Sequence, residues 1–123
     1  MIKLIKTGGP FGDATSNYEV ETDAKTIGEF IDAILEGQTN DKFITICIRK
    51  PDRAYIDSVC VAKIENGQVV RKANEYDNYR KHTIKKITGN GGWWAMGYDI
   101  IIEGEFAPQP NEEYQMVCFG WKQ

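Results

Sequence analysis

Ile27, Phe30, Ile31, Ile34 and Leu35 fall at i, i+3, i+4, i+7 and i+8, the one convincing apolar stripe of helical period in 123 residues. Thr26-x-x-Glu29 ahead of the stripe fits a capping box, in which the Thr hydroxyl accepts from the backbone N–H three residues on and the Glu reaches back. Gly37 suits the left-handed residue that ends a helix. The spacing therefore predicts a helix over residues 26–36. A lone helix with one apolar face must bury that face on something else, and the rest of the chain has the patterning of a sheet.

Ile2 and Leu4 alternate with Lys3, and residues 18–22 alternate between apolar or neutral side chains and glutamates. Between them Gly8-Gly9-Pro10-Phe11-Gly12-Asp13-Ala14-Thr15-Ser16-Asn17 has the composition of a long hairpin loop. After the helix, strands are expected at 43–49, 56–65, 68–71, 83–88 and 98–103. Asn66-Gly67 marks a two-residue hairpin, and Gly89-Asn90-Gly91-Gly92 is expected as a loop. Ile100-Ile101-Ile102 suits a strand buried on both faces. Residues 114–121 are expected as a last strand. Apolar side chains on both its faces call for cover by the core on one side and by the Trp93–Trp94 region or a second subunit on the other.

The expected fold is thus α+β: a mostly antiparallel sheet of five to seven strands packed on one helix, with residues 1–123 as a single domain. The length excludes a two-domain dinucleotide enzyme and a TIM barrel. No apolar run approaches the ~20 residues that cross a bilayer as a helix. The N-terminal residues are too polar for a signal peptide, so the expected compartment is the cytoplasm.

The net charge of −3 is unevenly spread. Residues 1–41 carry −5, residues 42–86 carry +6, and residues 87–123 carry −4. An acidic total argues against generic, tight nucleic-acid binding while leaving room for a local basic face.

Cys47, Cys60 and Cys118 form no Cys-x-x-Cys pair, and His82 is the only histidine. A zinc site would need all four to converge without any spacing motif. Three reduced thiols buried in strands are the plainer expectation, with neither metal nor cofactor.

The glycine-rich loop at 8–16 lacks the Gly-Lys-Ser/Thr ending of a phosphate cradle and leads into a strand, not a helix N-terminus. His82, in Arg80-Lys81-His82-Thr83, has no local nucleophile motif. A small hydrolase or transferase built on it would need a Cys or carboxylate partner in a concave pocket. Glu103 and Glu105 share a strand face, and Glu112-Glu113 are charges before the last strand. Neither pair marks a cleft.

The stretch from Tyr76 to Lys86, followed by Trp93-Trp94, interleaves aromatic and basic side chains. Tyr76, Tyr79, Arg80, Lys81, Lys85, Trp93 and Trp94 are the expected binding residues. Tyr, Trp and Arg dominate the centres of protein interfaces. The same mixture stacks bases and neutralises phosphates, so single-stranded nucleic acid is the alternative ligand.

Two resemblances accompany these readings. The order hairpin, helix, strands, with Thr-Ile-x-x-Phe-Ile-x-x-Ile-Leu in the helix, resembles the β-grasp fold. Thr7-Gly8-Gly9-Pro10-Phe11-Gly12, Thr26-Ile27-x-Glu29-Phe30-Ile31 in the helix, and Ile87-Thr88-Gly89-Asn90-Gly91-Gly92-Trp93-Trp94-Ala95-Met96-Gly97-Tyr98 resemble a family of small uncharacterised bacterial proteins found among prophages and other mobile elements. That resemblance spans about a quarter of the chain and implies context only: a small protein that binds a host factor. The function expected is a non-catalytic protein-binding module, an inhibitor or accessory protein of such an element. A host protein is its partner, membranes play no part, and a homodimer through the last strand is an open possibility.

Overall fold

The computed structural model describes residues 1–8, 16–39, 41–50, 58–92 and 95–106. Among these residues seven strands form one mixed sheet: β1 (Ile2–Gly8), β2 (Ser16–Thr22), β3 (Phe43–Ile48), β4 (Val59–Glu65), β5 (Gln68–Lys72), β6 (Ile84–Gly92) and β7 (Ala95–Ile102). Among the described residues two helices accompany it, α1 (Ile27–Leu35) and α2 (Tyr76–Tyr79). The α+β class stands. A second, four-residue helix joins the one that the periodicity marks.

The strands lie in the order β1-β2-β6-β7-β3-β4-β5. Every pairing is antiparallel except β3 with β7, which run parallel at the centre. The β1–β2 hairpin occupies one edge and the β4–β5 hairpin leads to the other. Asn66 and Gly67 turn the second hairpin with φ of 51° and 81°, the pair of positive values that a type I′ turn requires.

α1 begins as its sequence dictates. Thr26 is extended, and its hydroxyl accepts from Glu29 N at 3.2 Å. The Glu29 carboxylate accepts from Lys25 N at 2.7 Å, one residue further back than a standard capping box. At the other end Gly37, at φ 92°, lets Gln38 N reach Ala33 O and Gly37 N reach Ile34 O, a Schellman ending. Ile27, Phe30, Ile31 and Ile34 are buried in a core shared with Ile44, Ile46 and Ile48 of β3 and Met96, Tyr98 and Ile100 of β7. The Phe30 ring meets Tyr98 edge-on with centroids 5.1 Å apart. Leu35 ends the stripe 36% exposed, outside that core.

Gly89-Asn90-Gly91-Gly92 is not a loop but the second half of β6, paired with Tyr98, Gly97, Met96 and Ala95. The glycines serve close packing. A Cβ on Gly91 would lie 2.2 Å from Ala95 O, and one on Gly89 would lie 3.2 Å from Met96 Sδ. The large Met96 and Tyr98 side chains fill the space that these glycines leave on the core face. Residues 114–121, with their proposed cover and dimer role, and the loop at 9–15 lie outside the described residues.

Cys60 is a free thiol. Cys47 is disulfide-bonded, which corrects the expectation of three reduced thiols. No described helix is long and apolar enough to cross a membrane.

Candidate functional site

The aromatic–basic stretch begins where β5 ends and crosses to α1. After Lys72 the chain turns through Ala73 N→Val61 O (2.9 Å), and α2 starts behind Glu75, whose carboxylate accepts from Asn78 Nδ2 at 2.6 Å. One turn of helix puts Tyr76 and Tyr79 three residues apart on neighbouring positions. Their fates differ. Tyr79 is 4% exposed and belongs to the core, where its ring stacks on His82 at 6.3 Å. Tyr76 is half-buried, with Lys72 Nζ 5.0 Å and the Arg80 guanidinium 5.7 Å from its ring centre. Such cation–aromatic contacts contribute about 0.5–1 kcal/mol at exposed sites.

Arg80 lies across α1. Its Nη1 and Nη2 donate to Asp32 Oδ1 and Oδ2 at 3.2 and 3.1 Å, a two-pronged pairing. These bonds hold the guanidinium more firmly in its charged form than usual. Gly28 makes the approach possible, because a Cβ there would sit 3.0 Å from the guanidinium carbon. The backbone adds two more ties. Gly28 N donates to Arg80 O at 2.9 Å and Ile27 N to His82 O at 3.1 Å. These satisfy N–H groups of the first helical turn that have no acceptor within the helix. Thr26 and Thr83 form a further bridge.

The expected binding residues therefore separate. Tyr79 is part of the core and Arg80 is held against Asp32. Tyr76 is partly available, beside an open cleft of about 390 Å³ lined by Lys72, Ala73, Asn74, Glu75, Tyr76, Asp77 and Asn78. Lys81 and Lys85 are exposed, as are Lys72 and Lys86. Trp93 and Trp94 lie outside the described residues. Sequence reasoning missed Asp32, Gly28 and Lys72 as the groups that organise this stretch. No short-range signal links Asp32 to Arg80, which are 48 positions apart.

The other chemistry-bearing groups have bland surroundings. Among the described residues, His82 meets the Tyr79 ring and no carboxylate or thiol. Burial pushes the Cys60 thiol up to about 12, where little reactive thiolate exists at neutral pH, and its Sγ faces Ala62 O at 3.6 Å. Asp99 is raised by burial, with Arg49 at 3.0 Å opposing the rise. Glu103 and Glu105 are exposed. No cluster of three or more His, Cys, Asp or Glu residues suited to a metal occurs among the described residues. Comparison with protein-family models, with curated proteins and with solved structures finds no match to the chain.

Proposed function

We propose that the protein is a small non-catalytic binding module that engages another protein through the rim formed by Lys72, Tyr76 and Arg80, with Lys81 beside it. The observation that carries this reading is the Tyr76 ring with two cations 5.0 and 5.7 Å from its centre, in the lining of an open cleft. Tyr and Arg are the side chains that concentrate binding energy in interfaces. Here Arg80 is fixed beforehand by Asp32, so less side-chain freedom is lost on docking. Glu75 and Asp77 line the same cleft and would repel phosphates, which favours a protein over a nucleic acid.

In the setting of a phage or mobile element, such a module acts as an inhibitor or accessory protein by covering a surface of a host protein. The β-grasp likeness rests on element order alone, hairpin then helix, and adds nothing to the functional reading.

Quantitative affinity capture from bacterial lysate tests the proposal, with the wild type beside a Lys72→Glu/Tyr76→Ala variant that melts normally. The expected result is a captured protein that the variant loses. Equal capture by both would overturn the assignment of the rim, and capture of RNA or DNA in place of protein would overturn the ligand class.

A further inference from the structure

Among the described strands, the two edges of the sheet are built differently. At the β5 edge the ladder with β4 pairs Lys63 with Arg71 and Ile64 with Val69, so Val70 is an unpaired bulge residue. That edge is five residues long and carries exposed Arg71 and Lys72. Shortness and a bulge in the middle of the ladder are devices that keep an edge from accepting another strand; the cations do not distinguish the two edges, since Lys3 and Lys6 stand on β1. The β1 edge has a longer regular stretch. Five successive rungs, from Ile2↔Thr22 to Lys6↔Tyr18, run without a shift, and the one irregularity comes after Lys6. Every second residue of such a strand points its N–H and C=O away from β2. Three of its five regular residues are apolar, and Ile5 is 36% exposed.

We infer that β1 is a self-association edge whose occupant is β1 of a second copy of this chain, paired antiparallel about a two-fold axis at Leu4. That register sets Leu4 against Leu4, Lys3 against Ile5 and Ile2 against Lys6, so no lysine faces a lysine. Leu4 and Val20 are cross-strand partners and pack against the core. Across the axis the row becomes Val20-Leu4-Leu4-Val20, a continuation of the apolar layer from one subunit into the next. On the other face Lys3 keeps its own Glu21 as cross-strand neighbour. Shifting the axis by one residue pair to Lys3 would oppose the two lysines, which disfavours that alternative. An isologous contact of this kind closes as a dimer. The contact is a single strand edge, so the association is weak and concentration-dependent.

Sedimentation of the full chain across a concentration series tests this. The expected result is a shift from 14.0 kDa toward twice that mass at high concentration. Ile5→Lys would set a lysine opposite Lys3 at both ends of the pair and should weaken association about tenfold, leaving the melting temperature unchanged. Leu4→Cys under mild oxidation should cross-link into a covalent dimer, whereas Val70→Cys at the bulged edge should add no cross-linking beyond the wild type. A wild type that stays at the single-chain mass at millimolar concentration overturns the inference. So does Ile5→Lys associating as the wild type does, or Val70→Cys cross-linking as readily as Leu4→Cys. If Leu4→Cys fails to fold, the comparison of wild type with Ile5→Lys decides alone.

Discussion

Arg80 grips Asp32 with both terminal nitrogens, and it does so by lying over Gly28, a helix position where any side chain would crowd it. A half-exposed pair of this kind contributes up to about 1 kcal/mol. A glycine inside a helix costs about 1 kcal/mol relative to alanine. The latch and the glycine therefore nearly offset each other. Gly28→Ala should change stability little in the wild type, because the gain in helix propensity is spent on displacing Arg80. In an Asp32→Ala background, where the guanidinium is free to move and only the 3.2 Å approach to Arg80 Cβ remains, the same substitution should be more favourable than in the wild type, by up to about 1 kcal/mol. Urea unfolding of the four proteins in the cycle measures the difference. Equal effects of Gly28→Ala in both backgrounds would show that Arg80 and Gly28 are not coupled.

Asp99 gives the fold a pH signature. Its carboxyl is raised above the ordinary 3.8 by burial, against the pull of Arg49. A carboxyl with a raised folded value binds its proton more tightly in the native state than in the unfolded chain. Its contribution to stability is therefore greatest at low pH and declines as pH climbs from 3.8 through the raised value. Asp99→Asn should remove that declining segment from the stability–pH curve, whatever it does to absolute stability through Arg49. A variant curve parallel to the wild type over this range would rule out Asp99 as its source.

Cys60 should be slow to alkylate in the native protein. With its thiol pushed up to about 12, the thiolate fraction at pH 8 is roughly a thousandfold below that of an ordinary cysteine. Mass spectrometry of iodoacetamide-treated protein should show Cys60 labelling only as denaturant unfolds the sheet. Rapid labelling in buffer would mean that the thiol is far more open than its position in β4 indicates.

Several elements were legible because their causes are local. The Thr26 cap, the stripe from Ile27 to Ile34 and the Gly37 ending lie within a dozen residues, and neighbours that close interact whatever the rest of the chain does. The Asn66-Gly67 turn needs only the tolerance of those two residues for positive φ. The isoleucines around Ile100 announced a strand that is buried on both faces at most of its positions.

What the sequence by itself determined, then, is a set of elements with their caps, turns and apolar faces. Which element lies beside which was decided only in the folded sheet. The glycines of β6 read as a loop when their own propensity is considered, yet Met96 and Tyr98 on the adjacent strand need the space that they leave. The parallel pairing of β3 with β7 spans β4, β5, α2 and β6, and no local pattern encodes it. The aromatic–basic stretch had the composition of a binding surface, but packing drew Tyr79 into the core, while a carboxylate 48 positions away fixed Arg80 in place beside Tyr76. Composition says which side chains are suited to an interface; burial and long-range charge pairing, set by the whole tertiary arrangement, decide which of them are left to form one.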